Sequence, residues 1–264
     1  MQTLIGLAVS DASLLRAFAE AHQRVLDVTA ADAAEARHGM WGVGFHAHGE
    51  MLVRKGPLKG AGAMVSHLRD VRARHVVLVA ETHDAPRKLE ECSPLRYRDW
   101  LFAATGAATL GPGFAARVQG ELTTYAFATK RHPTPDEAVM MLVMASLERM
   151  NARDTRDLTT RAIQRAIGGA AERLRTLADP GAAIELLVTL HVDGHLFVFA
   201  IGRPIWVARF RGTCEPARPG RLMRHDHLRA LVVGDRTGDG AWERLPEGLA
   251  AEVDVACELV QFPA

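Results

Sequence analysis

Three cysteines in 264 residues, Cys92, Cys214 and Cys257, are too few, too far apart and odd in number for a disulfide framework, and they suit a reducing compartment. No Cys-x-x-Cys or His-Glu-x-x-His pattern occurs, so no spaced zinc motif can be read and no metal or other cofactor is expected. His46-Ala47-His48 and His225-Asp226-His227 lack further ligands at a metal spacing and read as polar turn residues. Gly56-Pro57-Leu58-Lys59-Gly60-Ala61-Gly62 lacks the Gly-Lys-Ser/Thr ending of a phosphate loop and reads as a plain loop.

Neither sign of charge dominates. A formal net charge of +1 gives no reason to expect nucleic acid or an anionic membrane as partner. Arg149, Arg153, Arg156, Arg161, Arg165, Arg173 and Arg175 are interleaved with Glu148, Asp154, Asp157 and Glu172, the pattern of a solvated helix face. Long apolar runs are missing too. The stretch from Ile184 to Phe210 is broken by His191, Asp193, Gly194, His195, Gly202 and Pro204, which excludes a membrane-spanning helix. Met1 to Ser10 is apolar without a basic n-region and reads as a strand rather than a signal peptide, and the expected location is cytoplasmic.

What is present is 48% apolar residue content, enough for a large core, in an order of elements that can be followed along the chain. Gln2 to Val9 suits a buried strand, with Ser10 or Asp11 capping a helix through Leu14, Leu15, Phe18, His22 and Val25. Gly42–Phe45 and Met51–Val53 flank a hairpin turn at Ala47-His48-Gly49-Glu50, and His75–Ala80 and Arg98–Ala103 are further strands. Thr134-Pro135-Asp136-Glu137 opens a helix whose buried face is Val139, Leu142, Val143, Ser146 and Leu147. A second helix runs from about Leu158 to Leu177 and ends at Asp179-Pro180-Gly181. Ile184–Val192 and Leu196–Ile201 form a hairpin around Asp193-Gly194, and Leu231–Val233 and Val253–Val260 read as later strands. Strands, two consecutive helices, then strands do not alternate as a doubly wound sheet requires; two sheets with helices outside fit. Arg211–Arg221 is the best loop candidate, and with no change of composition across it a single domain over residues 1–264 is expected.

Gly39-Met40-Trp41-Gly42-Val43-Gly44-Phe45 and Tyr97-Arg98-Asp99-Trp100-Leu101-Phe102-Ala103-Ala104-Thr105-Gly106 resemble two signature segments of class II glutamine amidotransferases. Pro94 is similar to the proline of that family's substrate loop, Glu137 to the acidic end of its Asp-Ser-Glu segment, and Val232 through Trp242-Glu243-Arg244-Leu245-Pro246 to its late strand-and-tryptophan region. The resemblance implies a four-layer αββα sandwich of two mainly antiparallel sheets, the N-terminal nucleophile hydrolase fold.

The departures from that family concentrate in its chemistry. Its members begin Met-Cys, and the exposed cysteine attacks with its own α-amine, pKa roughly 7.7–8.0, as base. Gln2 stands there, and an amide is not a nucleophile. The family's His-Asn-Gly oxyanion triplet falls on Ala104-Thr105-Gly106, which keeps the Gly106 N–H and replaces the Asn amide by the shorter Thr105 hydroxyl; one lost donor costs about 10²–10³ in rate. The run matching the family's clamp arginine, Val77-Leu78-Val79-Ala80-Glu81-Thr82, contains no Arg, and Arg74 and Arg87 outside it are expected to face solvent. The ammonium-binding Asp falls on Pro135, with Asp136 one residue away and rotated by about 100°.

No residue is therefore assigned as catalytic. The candidate pocket is Gln2, Trp41, Thr82, Cys92, Thr105, Gly106 and Asp136. Cys92 precedes Ser93-Pro94 near the substrate loop with His83 as its nearest histidine; it reads as a small buried thiol, as Cys257 reads as a core residue. Trp41 and Trp100 read as core rather than as ligand-stacking rings. Two functions are open: a non-catalytic subunit or binding module, with a protein partner or a homo-oligomer, or an amidohydrolase or amidotransferase of altered chemistry using Cys92, Thr82, Thr105, Asp136 and His83.

Overall fold

A computed structural model describes residues 2–27, 38–58, 64–83, 85–122, 134–149, 159–192, 194–212, 225–238 and 240–264. Thirteen strands among them form two sheets. The first has seven, β1 (Gln2–Val9), β2 (Gly39–Ala47), β3 (Glu50–Pro57), β4 (His75–Thr82), β9 (Trp206–Arg211), β10 (Arg229–Gly234) and β11 (Trp242–Arg244), in the order β11-β9-β10-β1-β4-β2-β3. The second has six, β5 (Leu95–Tyr97), β6 (Trp100–Thr105), β7 (Leu186–Val192), β8 (His195–Ile201), β12 (Leu249–Val253) and β13 (Leu259–Pro263), in the order β13-β12-β8-β7-β6-β5. Every pairing is antiparallel.

The period-two pleat sorts the strand residues into separate cores. In β1, Ile5, Leu7 and Val9 point outward with Leu15, Phe18 and Leu26 of α1 (Leu15–Ala21) and α2 (Gln23–Leu26), whereas Leu4 and Ala8 point inward at the second sheet. Val77 and Val79 of β4 meet Leu101 and Ala103 of β6 and Leu196 and Val198 of β8 in that inter-sheet core. The far face of the second sheet, with Phe102, Val188 and Phe199, is covered by α3 (Phe114–Glu121), α4 (Pro135–Arg149) and α5 (Thr160–Leu177). Helix, sheet, sheet, helix makes an αββα sandwich.

The helix caps follow the sequence. Thr134 Oγ1 accepts from Glu137 N at 3.2 Å at the start of α4, and Thr159 Oγ1 accepts from Ala162 N at 3.3 Å at the start of α5. The single apolar face expected for α4 is too narrow: Asp136 through Leu147 are all buried, because α4 lies between the second sheet and its neighbouring helices. Val253–Val260 is not one strand but the end of β12, a turn and the start of β13; Cys257 sits half-buried in that turn at φ 60° rather than inside the core. Arg98, at φ 53°, turns the chain between β5 and β6, so the strand expected from Arg98 starts at Trp100. Helix α3 was not legible as a separate element. Cys214, Arg153, Arg156, Asp154, Asp157, Asp193 and all of the Arg211–Arg221 loop beyond Gly212 lie outside the described residues, as do Lys59, Gly60, Ala61 and Gly62.

The glycines of the first signature segment are placed by the gap between sheets. A Cβ on Gly42 would stand 2.3 Å from Pro94 Cδ, and one on Gly44 would stand 2.4 Å from Leu101 Cδ2. Only a residue without a side chain lets β2 pass this close to β6 and to the loop before β5.

Candidate functional site

The starts and ends of several strands converge at one end of the sandwich. Gln2 opens β1 and is paired in register with Glu81 of β4, which is paired in turn with Met40 of β2. Thr105 closes β6, and Gly106 follows at φ 83°. A Cβ on Gly106 would lie 1.7 Å from Glu185 O, so the conformation and the close approach both demand glycine. Its N–H donates a hydrogen bond to Gln2 Oε1. The backbone donor that the family resemblance assigns to an oxyanion is thus used by the side chain of Gln2 itself.

Thr105 is fully buried, and Arg203, from the bend after β8, donates to Thr105 Oγ1 at 3.4 Å and to Asp235 Oδ1. Asp235 Oδ2 accepts from Leu4 N at 2.8 Å; its pKa is raised by burial, against the pull of Arg203. Neither Arg203 nor Asp235 was expected at the site, because both lie in loops far away in sequence.

A second group of polar side chains adjoins Gln2. Glu81 and His83 are two residues apart on β4 and its exit, hence on the same face of the pleat. His83 Nε2 is 3.3 Å from Glu81 Oε1, with both side chains almost wholly buried, and Glu81 Oε1 also accepts from Ser93 N at 3.1 Å. The 3-10 turn Leu89–Glu91 delivers Cys92, whose Sγ lies 3.9 Å from His83 Nε2 and donates to Lys88 O at 3.4 Å. Burial, reinforced by the negative charge of Glu81, pushes the Cys92 thiol up to about 12. An attacking thiolate needs the reverse shift. Ser93 ties the loop to β6, its Oγ donating to Ala104 O and accepting from Ala104 N at 3.2 Å each.

Asp136, in the first turn of α4, is buried and meets Arg87 Nη1 at 3.2 Å through Oδ2. Burial, then repulsion from Glu81, raises its carboxyl to about 7, with Arg87 opposing. The expectation that Arg87 faces solvent is corrected here: its side chain is 26% exposed and pairs with a buried carboxylate. Arg74 is exposed. Lys55, lowered in pKa by burial, gives its ammonium to the carbonyls of Leu89, at 3.1 Å, and Cys92.

Of the seven pocket residues expected from sequence, Gln2, Thr105 and Gly106 come together around one hydrogen bond, and Cys92 and Asp136 flank the neighbouring Glu81–His83 pair. Thr82 is half-buried at the end of β4. Trp41 is buried in the outer core and stacks on His67 with ring centroids 3.8 Å apart, away from the inter-sheet face. Trp100 is buried beneath the helices. His48 and His225 occupy turns at φ 54° and 56°, whereas His46 and Ala47, expected in a turn, are the last residues of β2. Beyond the Cys92 loop an open cleft of about 600 Å³ is lined by Val53, Lys55, Pro94, Tyr97, Glu137 and Met140, among others.

No family model matches the chain, and no curated protein does. Among solved structures, a glutamine aminotransferase class-II domain protein from Silicibacter pomeroyi matches 85% of this chain and 90% of its own, at 15% identity and TM-score 0.54. The glutamine phosphoribosylpyrophosphate amidotransferase of B. subtilis, solved with ADP and GMP, matches all of this chain at 11% identity and TM-score 0.55, and this chain spans only about half (49%) of its length. At these identities the likeness is one of fold: this chain has the αββα fold seen in class II glutamine amidotransferase structures.

Proposed function

We propose that this chain is a glutamine amidotransferase-like protein without glutaminase activity, a single domain over residues 1–264 acting in the cytoplasm as a non-catalytic subunit or binding module for a protein partner or a second copy of itself. The observation that carries this reading is the Gln2–Gly106 hydrogen bond. The residue at the nucleophile position is an amide, and it consumes the one oxyanion donor that the Ala104-Thr105-Gly106 triplet retains.

The surrounding charges support the same reading. Arg203 is engaged by Asp235, and Arg87 by Asp136. An incoming α-amino acid would have to break an internal ion pair at either arginine, and a buried zwitterion without partners forfeits its hydration for little return. The purified protein should release neither ammonia nor glutamate from glutamine above a mock purification, and calorimetric titration with glutamine or glutamate should give no heat of binding at millimolar concentration. Gln2→Cys alone should leave both results unchanged, since the clamp is still missing. Turnover by the unmodified chain, or sub-millimolar binding abolished by Thr105→Ala, would defeat the reading.

A second reading, an amidohydrolase or amidotransferase of altered chemistry, is favoured by the convergence of Glu81, His83, Cys92 and Asp136 beside Gln2. The thiol held up at about 12 argues against covalent catalysis through Cys92, so such an enzyme would need another nucleophile.

A further inference from the structure

Three different donor types meet in the buried cluster beside Gln2: the Glu81 carboxylate, the His83 imidazole and the Cys92 sulfur, all within 4.8 Å of one another. Tetrahedral zinc with its usual bond lengths of about 2.0–2.2 Å to nitrogen and oxygen and about 2.3 Å to sulfur separates its ligand atoms by roughly 3.4–3.6 Å. The observed separations are 3.3 Å between His83 Nε2 and Glu81 Oε1 and 3.9 Å between His83 Nε2 and Cys92 Sγ. We propose that Glu81, His83 and Cys92 form a binding site for a divalent cation of zinc type.

The donor set selects the class of ion. Imidazole and thiolate favour a borderline-soft cation over magnesium or calcium, which take oxygen ligands. Burial gives the second argument. Glu81 and Cys92 are each 1% exposed, and a carboxylate and a thiol that can become negative sit against each other there. A dication among them gives the buried Glu81 carboxylate an opposite charge and displaces the thiol proton to solvent, as metal binding to cysteine requires. Second-sphere support is present: Ser93 N–H holds Glu81 Oε1, and Lys55 holds the Cys92 carbonyl. Three protein ligands leave a fourth tetrahedral position for water or a ligand. The sequence conceals this site because Glu81 and His83 are spaced by a strand and Cys92 arrives by a loop, so no local spacing motif exists.

The test uses the full chain, stripped with a chelator, desalted and titrated with Zn²⁺ alone against a colorimetric competitor. The expected result is one equivalent bound per chain, with Co²⁺ in place of Zn²⁺ giving the near-ultraviolet thiolate-to-cobalt charge-transfer band. Cys92→Ser should remove that band and weaken Zn²⁺ binding by about 100-fold or more, whereas Cys257→Ser should change neither. Binding well below one equivalent, a cobalt spectrum without the thiolate band, or a band that survives Cys92→Ser would overturn the proposal and leave the cluster as an ion-pair network around Lys55 and Arg87. If Cys92→Ser does not fold, alkylation of the unmodified chain decides. Zn²⁺ should slow modification of Cys92 but not of Cys257, and equal rates with and without it would overturn the site. A glutaminase assay has no bearing on this outcome, so the two proposals fail separately.

Discussion

The two ends of β4 differ sharply in how they handle buried titratable groups. At its exit, Glu81 meets the Ser93 N–H and His83, and the neighbouring Asp136 meets Arg87. At its entry, roughly 20 Å away for six residues of strand, His75 packs against His191 with ring centroids 5.1 Å apart, and His46 lies beyond at 6.4 Å from His191. Here the partners are other imidazoles. Neither ring nitrogen of His191 finds a hydrogen bond among the described residues, and His75 Nε2 meets only the Asp254 carbonyl, at 3.1 Å. Charges of both signs surround the buried carboxylates at one end; at the other, burial lowers the pKa of His75 and His191 and makes them a liability when protons are plentiful.

Replacing a glycine at each end should give the largest contrast. Gly106→Ala places a Cβ 1.7 Å from a carbonyl oxygen at φ 83°, and a loss of about 4 kcal/mol or failure to fold is expected. Gly49→Ala, in the hairpin at the other end, has φ 79° but nothing within 4 Å, and should cost about 1 kcal/mol, read as a shift in denaturation midpoint. Equal costs would mean that conformation alone, not crowding, makes Gly106 necessary.

Acid should separate the ends next. Burial holds His75 down to about 4 from an ordinary 6.5, so the unfolded chain takes up its proton first. The stability this group contributes is complete above about pH 6.5 and is lost as pH falls toward 4, a total of about 3 kcal/mol. His191 is shifted the same way, by burial and by its histidine neighbours. His75→Gln should flatten that part of the stability–pH curve, and an unchanged slope would show that another group controls it.

Asp136 should work in the opposite sense. Its folded value is raised to about 7 from 3.8, so its contribution is complete below about pH 4 and declines as pH rises toward 7. Asp136→Asn should therefore stabilise the protein more at pH 7 than at pH 4, measured by denaturant midpoints. A constant difference across that range would place the perturbation elsewhere. The smallest effect belongs to Gln2→Ala, which removes the bond to Gly106 N–H and should cost about 1 kcal/mol. An increase in stability would mean that the bond is not formed in solution.

How far the chain could be read in advance follows from the range of each interaction. The hairpin at His48-Gly49, the Thr134 cap and the helix ending before Asp179 were legible because each is written within a few residues. The strand expected over Val253–Val260 was not, since apolar residues on both sides of a tight turn look continuous when the turn residues, Asp254 to Glu258, include Val255 and Cys257. At the candidate site, Gln2, Thr105, Gly106 and Asp136 are singled out by the family resemblance alone. Glu81, Arg87, Arg203 and Asp235 gave no comparable sign, because a charged residue next to a loop looks the same in sequence whether it faces water or a buried partner.

The sequence by itself determined the alternation of strands, the caps and the glycines, and it placed the Gln2 amide where the family resemblance implies a nucleophile. These are properties of neighbouring residues and of backbone geometry. Only the tertiary structure decided that the Gln2 amide closes on Gly106 across 104 residues, that Arg87 turns inward to Asp136, and that Cys92 lies against Glu81 and His83. Those contacts exist because two sheets stack and bring strand ends and loops to one rim, where burial strengthens each charge and fixes which partner it must take.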